Sequence, residues 1–150
     1  MRVFLDANIL FSAAYRDHSE LLVCFDLARA GIVQLVSSAF AIEEGRRNIA
    51  SKRPDRTAAY ERLAADLDAS RAPSNEHLAI ARQVELPPKD VPILAAALAA
   101  RADLLVTGDR THFGHLFGRS LGQLVVHRPT DALSAILRDT GQRPGRPSNR

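Results

Sequence analysis

Short apolar runs alternate along this chain with longer segments whose apolar residues recur at helical spacing. The first run predicts a strand over roughly Arg2 to Asp6, followed by a helix from about Asn8 to Arg16. Asp17 to Ser19 interrupts the pattern. Ser19 is placed to cap a second helix running to Ala30, with Gly31 as its C′ residue. Ile32 to Val36 reads as a second strand. Ser37 and Ser38 offer an N-cap for a helix carrying Phe40, Ala41, Glu43, Glu44 and Ile49, which Pro54 ends or kinks. Asp55 to Asp68 reads as a further helix, with Ala58, Ala59, Leu63 and Leu67 as its buried stripe.

Ala72-Pro73-Ser74 is a loop and cap before a helix from Asn75 to about Val84, and Leu86-Pro87-Pro88 is a stiff connector. Asp90 opens the next helix as a cap, with Val91 and Pro92 in its first turn. Its body, Ile93 to Ala100, is apolar on every side, as a helix packed closely on a sheet requires. Asp103 to Thr107 is a strand ending in Thr107-Gly108-Asp109, and Leu121 to His127 is a final short strand. Thr130 caps a closing helix to about Arg138. Strands spaced too widely for hairpins imply an α/β fold, a three-layer sandwich with a central, mostly parallel sheet. Residues 1–139 are expected to form one domain. Residues 140–150, rich in Arg, Pro and Gly, are expected to be a disordered tail.

Composition narrows the function classes. No apolar run is long enough to span a bilayer, and the start, Met1-Arg2-Val3-Phe4-Leu5-Asp6, lacks the apolar segment of a signal peptide. A cytoplasmic location and no membrane partner are the expectation. Cys24 is the single cysteine, so an internal disulfide and a Cys-based zinc site are excluded. Cys24 itself reads as a small core residue. The net charge of +3 comes from 20 basic against 17 acidic residues. Arg143, Arg146 and Arg150 lie in the tail, and subtracting those three leaves 17 against 17, a formally neutral body. Global charge therefore does not mark a nucleic-acid surface.

Four acids change the picture. Asp6 and Asp109 each follow an apolar strand, where open α/β sheets place their chemistry. Gly108 permits a tight turn that presents Asp109 at the sheet edge. Asp90 opens a helix, and Glu44 or the adjacent Glu43 lies on another. Asn8 is placed to orient the Asp6 carboxylate, and Thr107 to bond the acidic cluster. Gathered together, such carboxylates repel one another unless a hard divalent cation, Mg²⁺ or Mn²⁺, neutralises them. That ion is suited to phosphodiester hydrolysis. Arg46 and Arg47, within the densest basic stretch, and Arg110 beside Asp109 are candidates for contact with substrate phosphate. His112 and His115 share a helical spacing, but no third soft ligand accompanies them, so a zinc site is not expected. The alternative is a non-catalytic α/β partner-binding module, which the neutral body favours.

At these residues the chain resembles the PIN-domain ribonucleases, and among them the VapC-type toxins of toxin–antitoxin pairs. The matching pieces are VFLDANIL (Val3 to Leu10), SSAFAIEE (Ser37 to Glu44), KDVPILAAAL (Lys89 to Leu98) and ADLLVTGDRTHF (Ala102 to Phe113), in the family's order. The resemblance implies that Asp6, Glu44, Asp90 and Asp109 are the metal-binding catalytic acids, and its offset from the Ser37-Ser38 pair favours Glu44 over Glu43. It implies Mg²⁺- or Mn²⁺-dependent cleavage of RNA, homodimerisation, and neutralisation by a cognate antitoxin. A housekeeping nuclease without an antitoxin is the other outcome within the group. Many members carry a further acid just after the Thr-x-Asp motif; here Arg110 and Thr111 follow Asp109.

Overall fold

The computed structural model describes residues 1–142. Its centre is a six-stranded sheet made of β1 (Arg2–Leu5), β2 (Gln34–Ser37), β3 (Asp68–Ala69), β4 (Leu104–Val106), β5 (Ser120–Leu121) and β6 (Leu124–His127). The spatial order is β3-β2-β1-β4-β6-β5, and every pairing is parallel except β5 with β6. Strand β1 lies beside both β2 and β4, with Val3 opposite Leu35 on one side and Leu104 on the other.

Because side chains alternate across a strand, the central strands sort their apolar residues onto two faces. Val3, Leu5, Leu35, Leu104 and Val106 face one core. That core is covered by α1 (Ala7–Tyr15), α2 (Leu22–Arg29), α3 (Ala39–Lys52), α4 (Thr57–Ala64) and α8 (Pro129–Gln142). Phe4, Val36, Leu105, Leu124 and Val126 face a second core, covered by α5 (Asn75–Arg82), α6 (Val91–Ala99) and the short α7 (Arg110–Phe113). The all-apolar α6 buries Val91, Ile93, Leu94, Ala95, Ala96 and Ala97. The three-layer arrangement is the one predicted, and Cys24 is buried in the first core.

Several boundaries differ from expectation. The helix predicted to reach Asp68 ends at Ala64, after a 3-10 turn over Pro54–Arg56. Asp68 and Ala69 instead extend the sheet, opposite Val36 and Ser37. The open edge of β2 overrides local helix preference there. The predicted final strand is a hairpin: β5 and β6 are antiparallel, joined through Gly122 at φ 63, a conformation suited to a two-residue hairpin turn. The segment between β4 and β5 contains α7 and a 3-10 turn over Gly114–Leu116, which the pattern did not reveal. Ser19 precedes the second helix, where its Oγ accepts from Leu21 N at 3.3 Å; the helix starts only at Leu22. The closing helix starts at Pro129, so Thr130 lies inside it, and it continues to Gln142, into the segment expected to be a tail. The rest of that tail, residues 143–150, lies outside the described residues.

Candidate functional site

Strands β1 and β4 are adjacent and parallel, so their carboxyl ends open on one crevice. Asp6 follows β1 and Asp109 follows β4 by a short turn. Helix α3 passes the same rim and carries Glu44, and Asp90 stands at the start of α6. Asp6, Glu44, Asp90 and Asp109 line one cleft of about 270 Å³, together with Asn8, Phe11, Phe40, Asn48, Lys52, Lys89 and Ile93. The four acids singled out from the sequence thus meet.

Asp6 is 4% exposed and held on both oxygens. Its Oδ1 accepts from Ala7 N at 2.7 Å, capping α1, and its Oδ2 accepts from Thr107 Oγ1 at 2.9 Å, 101 positions away. The helix-cap role and the cleft role therefore coexist in one side chain. Asn8 Nδ2 adds a longer contact to Asp6 Oδ2 at 3.4 Å and one to Thr107 Oγ1 at 3.3 Å, while Asn8 Oδ1 accepts from Gly108 N at 3.0 Å. Thr107 Oγ1 also accepts from Asp109 N at 3.2 Å. Asn8 and Thr107 thus staple the ends of β1 and β4 to each other. The Asp6 carboxyl is pushed up to about 6, chiefly by burial, with the charges of Glu44 and Asp90 adding to the rise; the Thr107 and Ala7 hydrogen bonds oppose it.

Asp90 was expected to cap its helix, and its side chain does not: no hydrogen bond reaches the first turn of α6. The carboxylate points instead toward His112. His112 Nδ1 lies 3.0 Å from Asp90 Oδ2 and 2.8 Å from Asp109 Oδ2. Neither contact is aligned as a hydrogen bond, and Asp90 Oδ2 and His112 Nδ1 are buried atoms without a hydrogen-bond partner. Burial raises the Asp90 carboxyl, and Asp109 adds to that; His112 and Lys89 pull it down. Asp109 caps α7 through Oδ1, which accepts from His112 N at 3.0 Å. His112 was weighed in the sequence only as a zinc ligand paired with His115 and set aside, and the structure places it beside Asp90 and Asp109 instead. Its partners are hard oxygens, whereas a zinc-type search looks for soft ligands, and the Asp109–His112 spacing of one helical turn was the available signal.

Glu43 and Glu44 are distinguished by what they touch. Glu43 pairs with Arg46 at 2.7 Å, away from the cleft that Glu44 lines. Arg46 also forms bonds of 2.6 and 3.1 Å with Glu61, so it is committed within the fold. Arg47 and Arg110 are exposed. The cations on the cleft wall are Lys52 and Lys89, with Lys52 Nζ 5.3 Å from the centre of the Phe11 ring. Phe40, 59% exposed, stands at the same wall.

The buried, partnerless Asp90 oxygen, in a cleft with three further carboxylates, fits a divalent cation: the donors are hard, preassembled and mutually repulsive without one. Asp90, Asp109 and His112 each offer a ligand atom within 4.8 Å of the others.

The family model described as "PIN domain" matches residues 2–111. No curated protein matches the chain. Among solved structures, one chain of the crystal structure of VapBC2 from Rickettsia felis bound to a DNA fragment from their promoter is similar to this protein. Its TM-score is 0.62 at 16% sequence identity, over 85% of this chain and 98% of that one. At that identity the likeness is one of fold. No helix among the described residues is long and apolar enough to cross a membrane.

Proposed function

Because this chain belongs to the PIN domain family, we propose that it is a metal-dependent endoribonuclease acting as the toxin of a toxin–antitoxin pair. The observation that carries the reading is the convergence of Asp6, Glu44, Asp90 and Asp109 on one cleft. When bound there, Mg²⁺ or Mn²⁺ supplies neutralisation of phosphoryl charge and acidification of the attacking water.

The chain's own residues prepare that chemistry. Thr107 and Ala7 fix the Asp6 carboxylate, so its free lone pairs face the cleft in one orientation. Asn8 and Thr107 hold β1 and β4 in register, which sets the separation of Asp6 from Asp109. Lys52 and Lys89 offset the negative charge of the cleft and attract a phosphate backbone. Phe40, exposed at the cleft wall, offers a face on which an unpaired base stacks, as single-stranded RNA requires. Arg110, exposed beside Asp109, and Arg47, exposed on α3, remain phosphate contacts in this reading. Arg46 does not, because its guanidinium is engaged by Glu43 and Glu61.

The partner assignments rest on likeness. The similarity to a chain of a VapBC complex supports a cognate antitoxin; a homodimer acting in the cytoplasm belongs to the same proposal. A small gene product that copurifies with this chain and suppresses its activity would separate the toxin from a housekeeping nuclease.

Asp6→Asn and Asp109→Asn are each expected to lower RNA cleavage by at least about 100-fold at saturating Mg²⁺, since each removes charge from the cation site. Circular dichroism should be unchanged. Full activity in both variants would remove Asp6 and Asp109 from the catalytic site, and no cleavage by the wild type at saturating Mg²⁺ would leave the partner-binding module.

A further inference from the structure

We propose that His112 is a nitrogen ligand of the divalent ion held by Asp90 and Asp109, so that this half of the cleft is a mixed nitrogen–oxygen site biased toward a first-row transition ion such as Mn²⁺ over Mg²⁺. The inference rests on the metal-dependent reading of the cleft and adds a donor that the four acids do not include.

Three independent features carry it. The first is spacing. Asp90 Oδ2 and Asp109 Oδ2 lie 3.0 and 2.8 Å from His112 Nδ1. Neighbouring ligands on an octahedron with bonds of ~2.1 Å are ~3.0 Å apart, so His112 Nδ1 stands from each carboxylate oxygen as an adjacent ligand would, and all three atoms lie within 4.8 Å of one another. Asp6 and Glu44 do not join this close cluster.

The second is the unmet demand of the donors. The Asp90 side chain is 9% exposed, and its Oδ2 has no hydrogen-bond partner. The same holds for His112 Nδ1. An ordinary imidazolium–carboxylate pair would align an N–H with its acceptor. Here the atoms are close without that alignment. With its proton on Nε2, the ring presents a lone pair at Nδ1 toward the point the two carboxylates share.

The third is what Asp90 forgoes. It occupies the N-cap position of α6, where its carboxylate would ordinarily bond the first turn, and it makes no such bond. Its carboxylate is turned toward His112 instead. On the opposite side, Asp109 spends Oδ1 on His112 N–H and leaves Oδ2 for the cleft. The short helix that follows Asp109 thus delivers an imidazole between Asp109 and Asp90. Nitrogen donors favour first-row transition ions over Mg²⁺, which prefers oxygen.

The test uses the full chain, stripped of metal and titrated with Mn²⁺ or Mg²⁺. Pulsed EPR of the Mn²⁺-loaded protein should show ¹⁴N hyperfine coupling, lost in both His112→Ala and His112→Asp. Calorimetry should show Mn²⁺ binding weakened about 10-fold or more in His112→Ala, with Mg²⁺ binding changed less than about 3-fold. His112→Asp supplies an oxygen donor at the same position and should keep Mg²⁺ affinity, which separates ligand loss from damage to the fold. Mn²⁺ binding without nitrogen coupling, or equal weakening for both ions in His112→Ala, overturns the assignment of His112 and leaves the nuclease reading intact. Absence of any Mn²⁺ or Mg²⁺ binding overturns both.

Discussion

At the scale of single residues, the strand-end acids were legible in the sequence because each contradicts its surroundings: Asp6 and Asp109 follow apolar runs where a charge is costly unless used. Asp6 shows that cost directly. Its carboxyl rises from the ordinary 3.8 to about 6, so between those values the folded protein binds a proton that the unfolded chain has lost. Stability of the metal-free protein should therefore fall as pH rises from about 4 to about 6, by on the order of 2–3 kcal/mol, and stay lower above that window. Urea denaturation across that range should show the decline for the wild type and a flatter profile for Asp6→Asn. An equal decline in both would place its origin elsewhere. Asp90 and His112 were less legible. A residue before Val-Pro reads as a helix cap, and only packing shows that Asp90 faces a histidine from another element.

Elements were read well where the chain carries its own punctuation. Gly31 at φ 74 ends the second helix, Ser38 Oγ accepts from Ala41 N to start α3, and Ser74 with His77 caps α5. They were misread where tertiary pairing decides, as at Asp68–Ala69 and at the β5–β6 hairpin. One element contact matters for the site. Helix α3, which carries Glu44, packs on α4 at Gly45, where a Cβ would collide with the Tyr60 hydroxyl and ring. The Tyr60 hydroxyl in turn donates to Ile42 O at 2.5 Å. Gly45→Ala is expected to cost about 1–3 kcal/mol of stability by forcing the two helices apart, despite the better helix propensity of alanine. Tyr60→Phe in the same chain should recover part of that loss, because it removes the hydroxyl that the new methyl would strike. Additive losses in the double-mutant cycle would show that the contact does not govern the packing.

For the molecule as a whole, the alternation of strand and helix was enough to foresee a parallel sheet between two helical layers. The strand order was not legible, because no local feature of β1 states that β4 is its neighbour. That order is what brings the acids together, so the proposed cation site would exist only in the finished fold. An ion that binds only the native state stabilises it by about 2.7 kcal/mol at 100 times its Kd. Mg²⁺ or Mn²⁺ at that level should raise the Tm of the wild type and should do little for Asp6→Asn or Asp109→Asn; equal rises in all three would point to a different binding place. The Thr107–Asp6 bond joins positions 101 residues apart. A ribosome must therefore deliver the chain at least as far as Thr107 before the two rims can close, so no shorter nascent fragment can hold the assembled cleft.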